Sequence, residues 1–173
     1  MRRGFAAVFI LATAMIFATS TMSFADEYDT NLGIGYDLFT RAGGENSAAG
    51  LNVDVSKFIR GFRSGRLGVG GAAEFIHFEG DTLKQYEAFV SLQGRPQGSM
   101  NTTPFGRFGI GVDSSGGETD MLMDFGAGVD FLPKTTWPVM VRVMLNYKRV
   151  FAEGDGFNVV RFSVGAVVPL GRK

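Results

Sequence analysis

The 173-residue chain contains no cysteine and a single histidine, His77. Without cysteine it cannot form a disulfide framework, a thiolate metal site or a lipid-modified N-terminal cysteine. One histidine alone does not make a transition-metal site, so we expect no metal and no cofactor. Lysine and arginine number 17, as do aspartate and glutamate, and this balance gives no reason to expect a nucleic-acid partner.

Long apolar runs are missing after the first part of the chain. Residues 1–25 have the three parts of a secretory signal, namely two arginines, an apolar stretch and Ser23-Phe24-Ala25 at the expected cleavage site. The apolar stretch is shorter than the roughly 20 residues that a transmembrane helix requires. We therefore predict a cleaved signal peptide at 1–25 and one exported domain at 26–173.

From residue 30 onward, apolar residues alternate with small or polar ones in eight segments separated by turn-forming residues. A strand turns successive side chains to opposite faces, whereas a helix would group apolar residues three and four positions apart. In the first segment Leu32 and Ile34 alternate with Gly33 and Gly35. We predict strands at about 30–39, 49–60, 66–78, 83–93, 107–113, 121–131, 139–148 and 158–168.

Alternation alone fits either a soluble sandwich with its apolar face inward or a membrane barrel with its apolar face outward. Glycine is frequent on the polar face, which suits the cramped interior of an eight-stranded barrel. Aromatic residues near the strand ends are typical of the interfacial girdles of membrane barrels. We assign to one girdle Tyr36, Phe39, Phe75, Phe78, Tyr86, Tyr147 and Phe151, and to the other Phe58, Phe62, Phe105, Phe131 and Trp137. The sequence therefore predicts an all-β fold, an eight-stranded antiparallel up-and-down transmembrane β-barrel.

Residues 103–112, 125–131, 142–147 and 161–166 carry a resemblance to a known family. The chain resembles the small eight-stranded outer-membrane β-barrels, which include opacity-type surface proteins and the transmembrane domain of OmpA-like proteins. The resemblance implies a Gram-negative outer membrane, contact with outer-membrane lipid and lipopolysaccharide, and insertion by the barrel-assembly machinery. The final residues, 169–173, depart from the aromatic ending that is usual in this family.

With a periplasmic N-terminus, four connections of the predicted barrel face the outside, near 40–48, 79–82, 113–119 and 151–156. All four are short, which disfavours a specific adhesin. The connection at 94–103 lies on the periplasmic side and is long for that side.

The inward face of the predicted barrel carries charges of both signs. Acids lie on the first four strands and the sixth, and bases lie on the fifth, seventh and eighth, so closure of the barrel sets acids across from bases. A lipid-facing arginine or lysine would cost about 2 to 4 kcal/mol at the membrane midplane, which favours an inward position. Because an eight-stranded interior is filled by its own side chains, we predict a salt-bridged plug. This lumen charge cluster comprises Asp37, Asp54, Glu74, Glu87, Arg107, Asp124, Asp130, Arg142, Lys148 and Arg161.

Catalytic motifs are not recognisable in the sequence. A lipid acyl hydrolase or transferase would need a nucleophile with a histidine base, and strand parity places His77 on the outward face. Glu74 and Glu87 could imitate a glycosidase pair, but they fit better as lumen charges facing arginines. The leading hypothesis is a non-enzymatic barrel with a structural or surface-interaction role in the cell envelope. The alternatives are an outer-membrane lipid-modifying enzyme, a narrow pore, and a soluble exported lipocalin-like binder with an apolar interior.

Overall fold

The computed structural model of the chain describes residues 30–42, 47–78, 81–94, 102–115, 117–132, 139–152 and 156–170. The predicted signal peptide at 1–25, Trp137 and most of the connection at 94–103 lie outside these residues. Within the described ranges there is no helix long and apolar enough to cross a membrane.

Eight antiparallel strands form one closed barrel. Each strand pairs with its neighbours in the sequence, and the first strand closes the barrel against the eighth. This confirms the predicted eight-stranded up-and-down barrel. Most strands are longer than predicted, because ladder pairing continues past the residues whose alternation is visible in the sequence. Their bounds are β1 Thr30–Arg41, β2 Ser47–Gly61, β3 Gly65–Phe78, β4 Asp81–Gly94, β5 Thr102–Ser115, β6 Glu118–Phe131, β7 Met140–Phe151 and β8 Phe157–Leu170.

The two ends of the barrel differ in their connections. We call the end at which β1 begins and β8 ends the base, and the opposite end the top. The top connections span residues 42–46, 79–80, 116–117 and 152–156. The base connections span residues 62–64, 95–101 and 132–139. The long strands therefore leave only short segments at the top.

The outer surface is a belt of exposed large apolar side chains. Ile34, Leu92 and Leu145, for example, are 59%, 58% and 57% exposed. An apolar surface this extensive is unfavourable in water and matches the hydrocarbon of a membrane. The interior holds mostly polar and charged side chains, whereas the lipocalin-like alternative requires an apolar one.

Three aromatic residues assigned to the girdles lie inside the barrel, so their assignment is wrong. Phe39 and Phe105 are buried, and Phe58 lines a small cavity at the base. Each lies an even number of residues from inward side chains of its own strand and therefore points inward. The girdle assignment relied on their apolar character instead. Of the aromatic residues assigned to the girdles, those that are exposed are Tyr36, Phe75, Tyr86, Tyr147 and Phe151 in one and Phe62 and Phe131 in the other.

Arg60 is also placed differently from what alternation predicts. Strict alternation along β2 would turn Arg60 into the lumen with Asp54 and Ser56. A register shift between Phe58 and Arg60 interrupts the pairing of β2 with β3. Arg60 is consequently exposed on the outside. An irregularity of this kind adds one residue to a strand and reverses the parity beyond it.

Glycine on the inner face lets neighbouring strands approach closely. A Cβ atom at Gly165 would lie 2.4 Å from the carbonyl oxygen of Ile34 on the adjacent strand, whereas at Gly106 on the outer face the nearest atom is 3.8 Å away. We expect Gly165→Ala to lower the free energy of unfolding by about 1 to 3 kcal/mol, because the strands must move apart. Urea titration in lipid vesicles measures this. Gly106→Ala is the matched control and should be neutral or slightly stabilising; equal losses in both variants would contradict a steric cause.

Candidate functional site in the barrel lumen

The lumen is the candidate site because the barrel collects its charged side chains there. All ten residues of the lumen charge cluster point inward. Nine of them are buried, and Arg142 is partly buried, with 11% of its side chain exposed. Strand parity explains this arrangement, since each residue occupies an inward position and its outward neighbours are mostly apolar, with Arg149 beside Lys148 as an exception.

Glu74 of β3 is a centre of the upper part of the cluster. It forms an ion pair with Arg161 of β8, on the far side of the lumen. Lys148 Nζ of β7 donates to Glu74 Oε2 at 2.6 Å and to Gln85 Oε1 at 2.9 Å, and it lies 3.5 Å from Glu87 Oε2. The lysine therefore separates the two glutamates that could have imitated a glycosidase pair.

Asp124 of β6 is the second centre. Arg107 of β5 forms an ion pair with Glu87, and its Nη2 atom donates to Asp124 Oδ2 at 3.0 Å. Asn146 of β7 donates to the two carboxylate oxygens of Asp124 at 2.8 and 2.7 Å. Arg161 Nη2 lies 3.8 Å from Asp124 Oδ2 and links this centre to the first one.

The first two strands join the same network. Asn52 Nδ2 of β2 donates to Asp37 Oδ1 of β1 at 2.6 Å and to Ser163 Oγ of β8 at 3.1 Å. Arg161 Nη1 lies 3.7 Å from Asp37 Oδ2. The network, which we call the upper network, thus contains a side chain from each of the eight strands. The eight are Asp37, Asn52, Glu74, Glu87, Arg107, Asp124, Lys148 and Arg161.

A lower network lies nearer the base and is centred on Arg142 of β7. Its guanidinium donates to Asp130 of the neighbouring strand through Nε at 2.7 Å and Nη2 at 3.0 Å. Its Nη1 atom donates to Asp54 Oδ1 at 3.2 Å, across the lumen on β2. Gln93 Nε2 donates to Asp130 Oδ2 at 2.8 Å. The bidentate contact fixes the plane of the guanidinium.

Aromatic rings face three inward arginines, one of the upper network and two nearer the base. The guanidinium carbon of Arg107 lies 4.7 Å from the ring centre of Phe89, and that of Arg142 lies 4.6 Å from the ring centre of Phe105. Arg66 stands over Phe58 at 3.6 Å. Cation–π contacts at these distances are favourable in a desolvated site, so inward aromatic residues fill space and hold the arginines in place.

Inward apolar side chains lie above the upper network, and Phe39, Ile76 and Val159 among them pack together. The sequence did not predict this layer. Leu122 and Val150 have no exposed surface. Each member lies two residues along its strand from a residue of the charge cluster, on the side toward the top. This spacing was the available signal, because it gives the same inward parity. We call this layer the apolar collar, and its members are Phe39, Ile76, Leu122, Val150 and Val159.

A small cavity lies at the base of the lumen, below the upper network. The cavity at the base has a volume of about 10 Å³ and is lined by Asn31, Ser56, Ser91 and Arg142 among others. Such a volume holds roughly one water molecule. In the part of the barrel that the structure describes, this cavity is far too small to be a continuous aqueous channel.

Residues with possible catalytic or metal chemistry lie apart from one another. His77 is exposed on the outer face near the top, as strand parity predicts. No side-chain hydrogen bond or ion pair joins His77 to another described residue. Asp113, an inward acid not included in the predicted cluster, accepts a hydrogen bond from Gln85 at 2.9 Å. The described ranges contain no group of three or more His, Cys, Asp or Glu side chains suited to hold a metal ion.

Comparison with solved structures identifies barrels of the same architecture. Neisserial surface protein A matches with a TM-score of 0.57 and 16% identity, over 82% of this chain and 96% of that chain. The outer membrane enzyme PagL matches with a TM-score of 0.52 and 17% identity, over 82% of this chain and 99% of that chain. The chain has the fold of the small outer-membrane β-barrels. The predicted outer-membrane location agrees with this fold and with the apolar belt. No protein-family model matches the chain, and a search of curated proteins gives no match.

Proposed function

We propose that the protein is a small integral protein of the bacterial outer membrane with a plugged polar lumen. In this proposal it contributes to envelope structure or surface interaction as a rigid, closed barrel. The observation that carries the proposal is the upper network, to which every one of the eight strands contributes a side chain.

The network supports a structural role because it specifies how the strands pair. A slip of one residue between two strands would turn the inward charges of one strand toward lipid. Each lipid-facing arginine or lysine would then cost about 2 to 4 kcal/mol at the midplane. Arg107, Lys148 and Arg161 come from three different strands, so a slip at any of these strands is penalised. The buried charges therefore act as a register lock.

The top of the barrel supports a compact envelope protein more than a specific adhesin. Surface binders of this architecture use long outer loops, whereas the longest top connections here, 42–46 and 152–156, have five residues each. Any surface partner would have to contact these short segments and the strand ends.

A lipid-modifying activity has less support in the geometry. The likeness to PagL lies at 17% identity and concerns the fold. A histidine base needs a nucleophile and an orienting group within hydrogen-bonding reach, and the structure gives His77 neither among the residues that it describes.

Conductance measurements test the plugged lumen directly. The refolded protein, whose closed state is verified by faster gel mobility without boiling, is inserted into planar lipid bilayers with a porin as the positive control. We expect no large steady current, since the apolar collar and both networks fill the lumen. A large, stable conductance from the wild-type protein would contradict the proposal and favour a narrow pore.

A further inference from the structure

The connections at the two ends of the barrel differ in the sign of their charged residues. The base connections 62–64, 95–101 and 132–139 each contain a basic residue, namely Arg63, Arg95 and Lys134, and no acidic one. The top connections 42–46, 79–80 and 152–156 contain Glu45, Glu79, Glu153 and Asp155 and no basic residue. The base connections are therefore basic in sequence, and these three top connections are acidic in sequence.

The positive charge is densest in the β2–β3 hairpin. Lys57, Arg60, Arg63 and Arg66 lie within ten residues, and the segment from 55 to 73 contains no acidic residue. Arg60 and Arg63 are exposed. The guanidinium of Arg60 lies 5.5 Å from the ring centre of Phe62. Arg66 turns inward to Gln93 and Phe58, so we call Lys57, Arg60 and Arg63 and their turn the basic hairpin.

Apolar side chains share this level of the barrel with the cations. Ile59 is 43% exposed and Phe62 is 40% exposed. Aromatic and basic side chains occur together where hydrocarbon meets lipid headgroups, with rings in the interface and cations reaching the phosphates. The basic hairpin therefore lies at the headgroup level of the leaflet on the base side.

A groove opens on the outer surface beside this hairpin. It has a volume of about 260 Å³ and runs between the hairpin turn and the ends of β4 and β5. Ser64 and Gly65 of the turn form one wall, and Leu92, Pro104 and Gly106 line the side that continues into the apolar belt. The groove exists because Gly94 and Gly106 place no side chain at outward positions between larger neighbours.

We propose that the basic hairpin and this groove form a binding site for an anionic phospholipid of the periplasmic leaflet. The lipid phosphate contacts Arg60 and Arg63, and an acyl chain lies in the groove against Leu92 and Pro104. The positive charge of the hairpin favours an anionic headgroup. Because the groove continues into the apolar belt, its occupant is a membrane lipid. The inference rests on the proposed outer-membrane placement, in which the base faces the periplasm.

Native mass spectrometry of the folded barrel tests this site. The protein is released from micelles that contain equal amounts of phosphatidylglycerol and phosphatidylethanolamine, and bound lipids are counted. We expect wild-type protein to retain phosphatidylglycerol preferentially. In the double variant Arg60→Gln/Arg63→Gln, the ratio of bound phosphatidylglycerol to bound phosphatidylethanolamine should fall about fivefold for each charge removed. Lys84→Gln/Arg149→Gln removes two cations near the top and is the matched charge control, with the preference expected to remain.

A second variant separates the groove from the charge. Gly106→Leu should fill the groove without a backbone clash, since the nearest atom to an added Cβ is 3.8 Å away, and should reduce lipid retention while all cations remain. Ala166→Leu on the outward face of β8, distant from the groove, should retain lipid as wild type does. Equal retention of both lipids by a barrel that keeps its faster unboiled mobility would overturn the lipid site alone. Loss of that mobility in wild-type protein would instead contradict the proposed membrane barrel.

Discussion

Replacement of Arg161 by methionine is expected to lower the free energy of unfolding by about 3 to 5 kcal/mol, the range found when one partner of a buried ion pair is removed. The Arg161 side chain is 1% exposed, pairs with Glu74, and lies within 4 Å of Asp37 and Asp124. Methionine fills much of the same space but leaves these carboxylates with less positive charge nearby. Urea unfolding from lipid vesicles, followed by the loss of the faster unboiled band, measures the change.

Two further variants identify the cause of this loss. Arg149→Met, near the top of β7, removes a hydrogen bond to Asn158 at 3.0 Å and should cost no more than about 1.5 kcal/mol. The double variant Arg161→Met/Glu74→Gln should recover part of the loss, because it removes a carboxylate left without its arginine. A loss in Arg161→Met as small as that in Arg149→Met would contradict the assignment of the upper network as the main register lock.

Parity explains why the sequence predicted the barrel and the inward position of its charges. Asp37, Glu74 and Arg161 each alternate with apolar neighbours, and a strand turns such neighbours to opposite faces without exception unless its pairing is irregular. The exception is Arg60, which follows a register shift in β2. Nothing in the local alternation reports that shift.

The sequence predicted that acids would face bases across the lumen, but it did not predict which acid contacts which base. Glu74 meets Lys148 and Arg161, which are 74 and 87 residues away. Which inward residues reach the same height depends on the stagger of all eight strands, and this stagger is a property of the closed barrel. The inward aromatic residues were missed for a different reason. Phe39 and Phe105 are apolar, as lipid-facing residues are, but they occupy inward positions in the alternation of their strands. The alternation, not the apolar character, decides which face they occupy.

A charge placed on the outer belt provides the other large expected effect. Leu145 lies near the middle of β7 and is 57% exposed. Its register partners are Ala127 of β6 and Phe162 of β8, both outward and apolar. We expect Leu145→Arg to lower the free energy of unfolding in lipid vesicles by about 2 to 4 kcal/mol, because the guanidinium faces hydrocarbon at the midplane and has no acidic neighbour.

A leucine-to-arginine substitution at the end of the belt is the matched control for Leu145→Arg. Leu170 is the last residue of β8, at the base, and is 43% exposed. An arginine there reaches the headgroups, so Leu170→Arg should cost about 0 to 1 kcal/mol. A depth-dependent difference between the two variants is specific to a lipid environment. On a soluble barrel, an exposed arginine at either position would be hydrated and would hardly change the free energy of unfolding. Equal and small effects of the two substitutions would therefore contradict the membrane placement. They would also contradict the interpretation of the polar lumen as a buried plug.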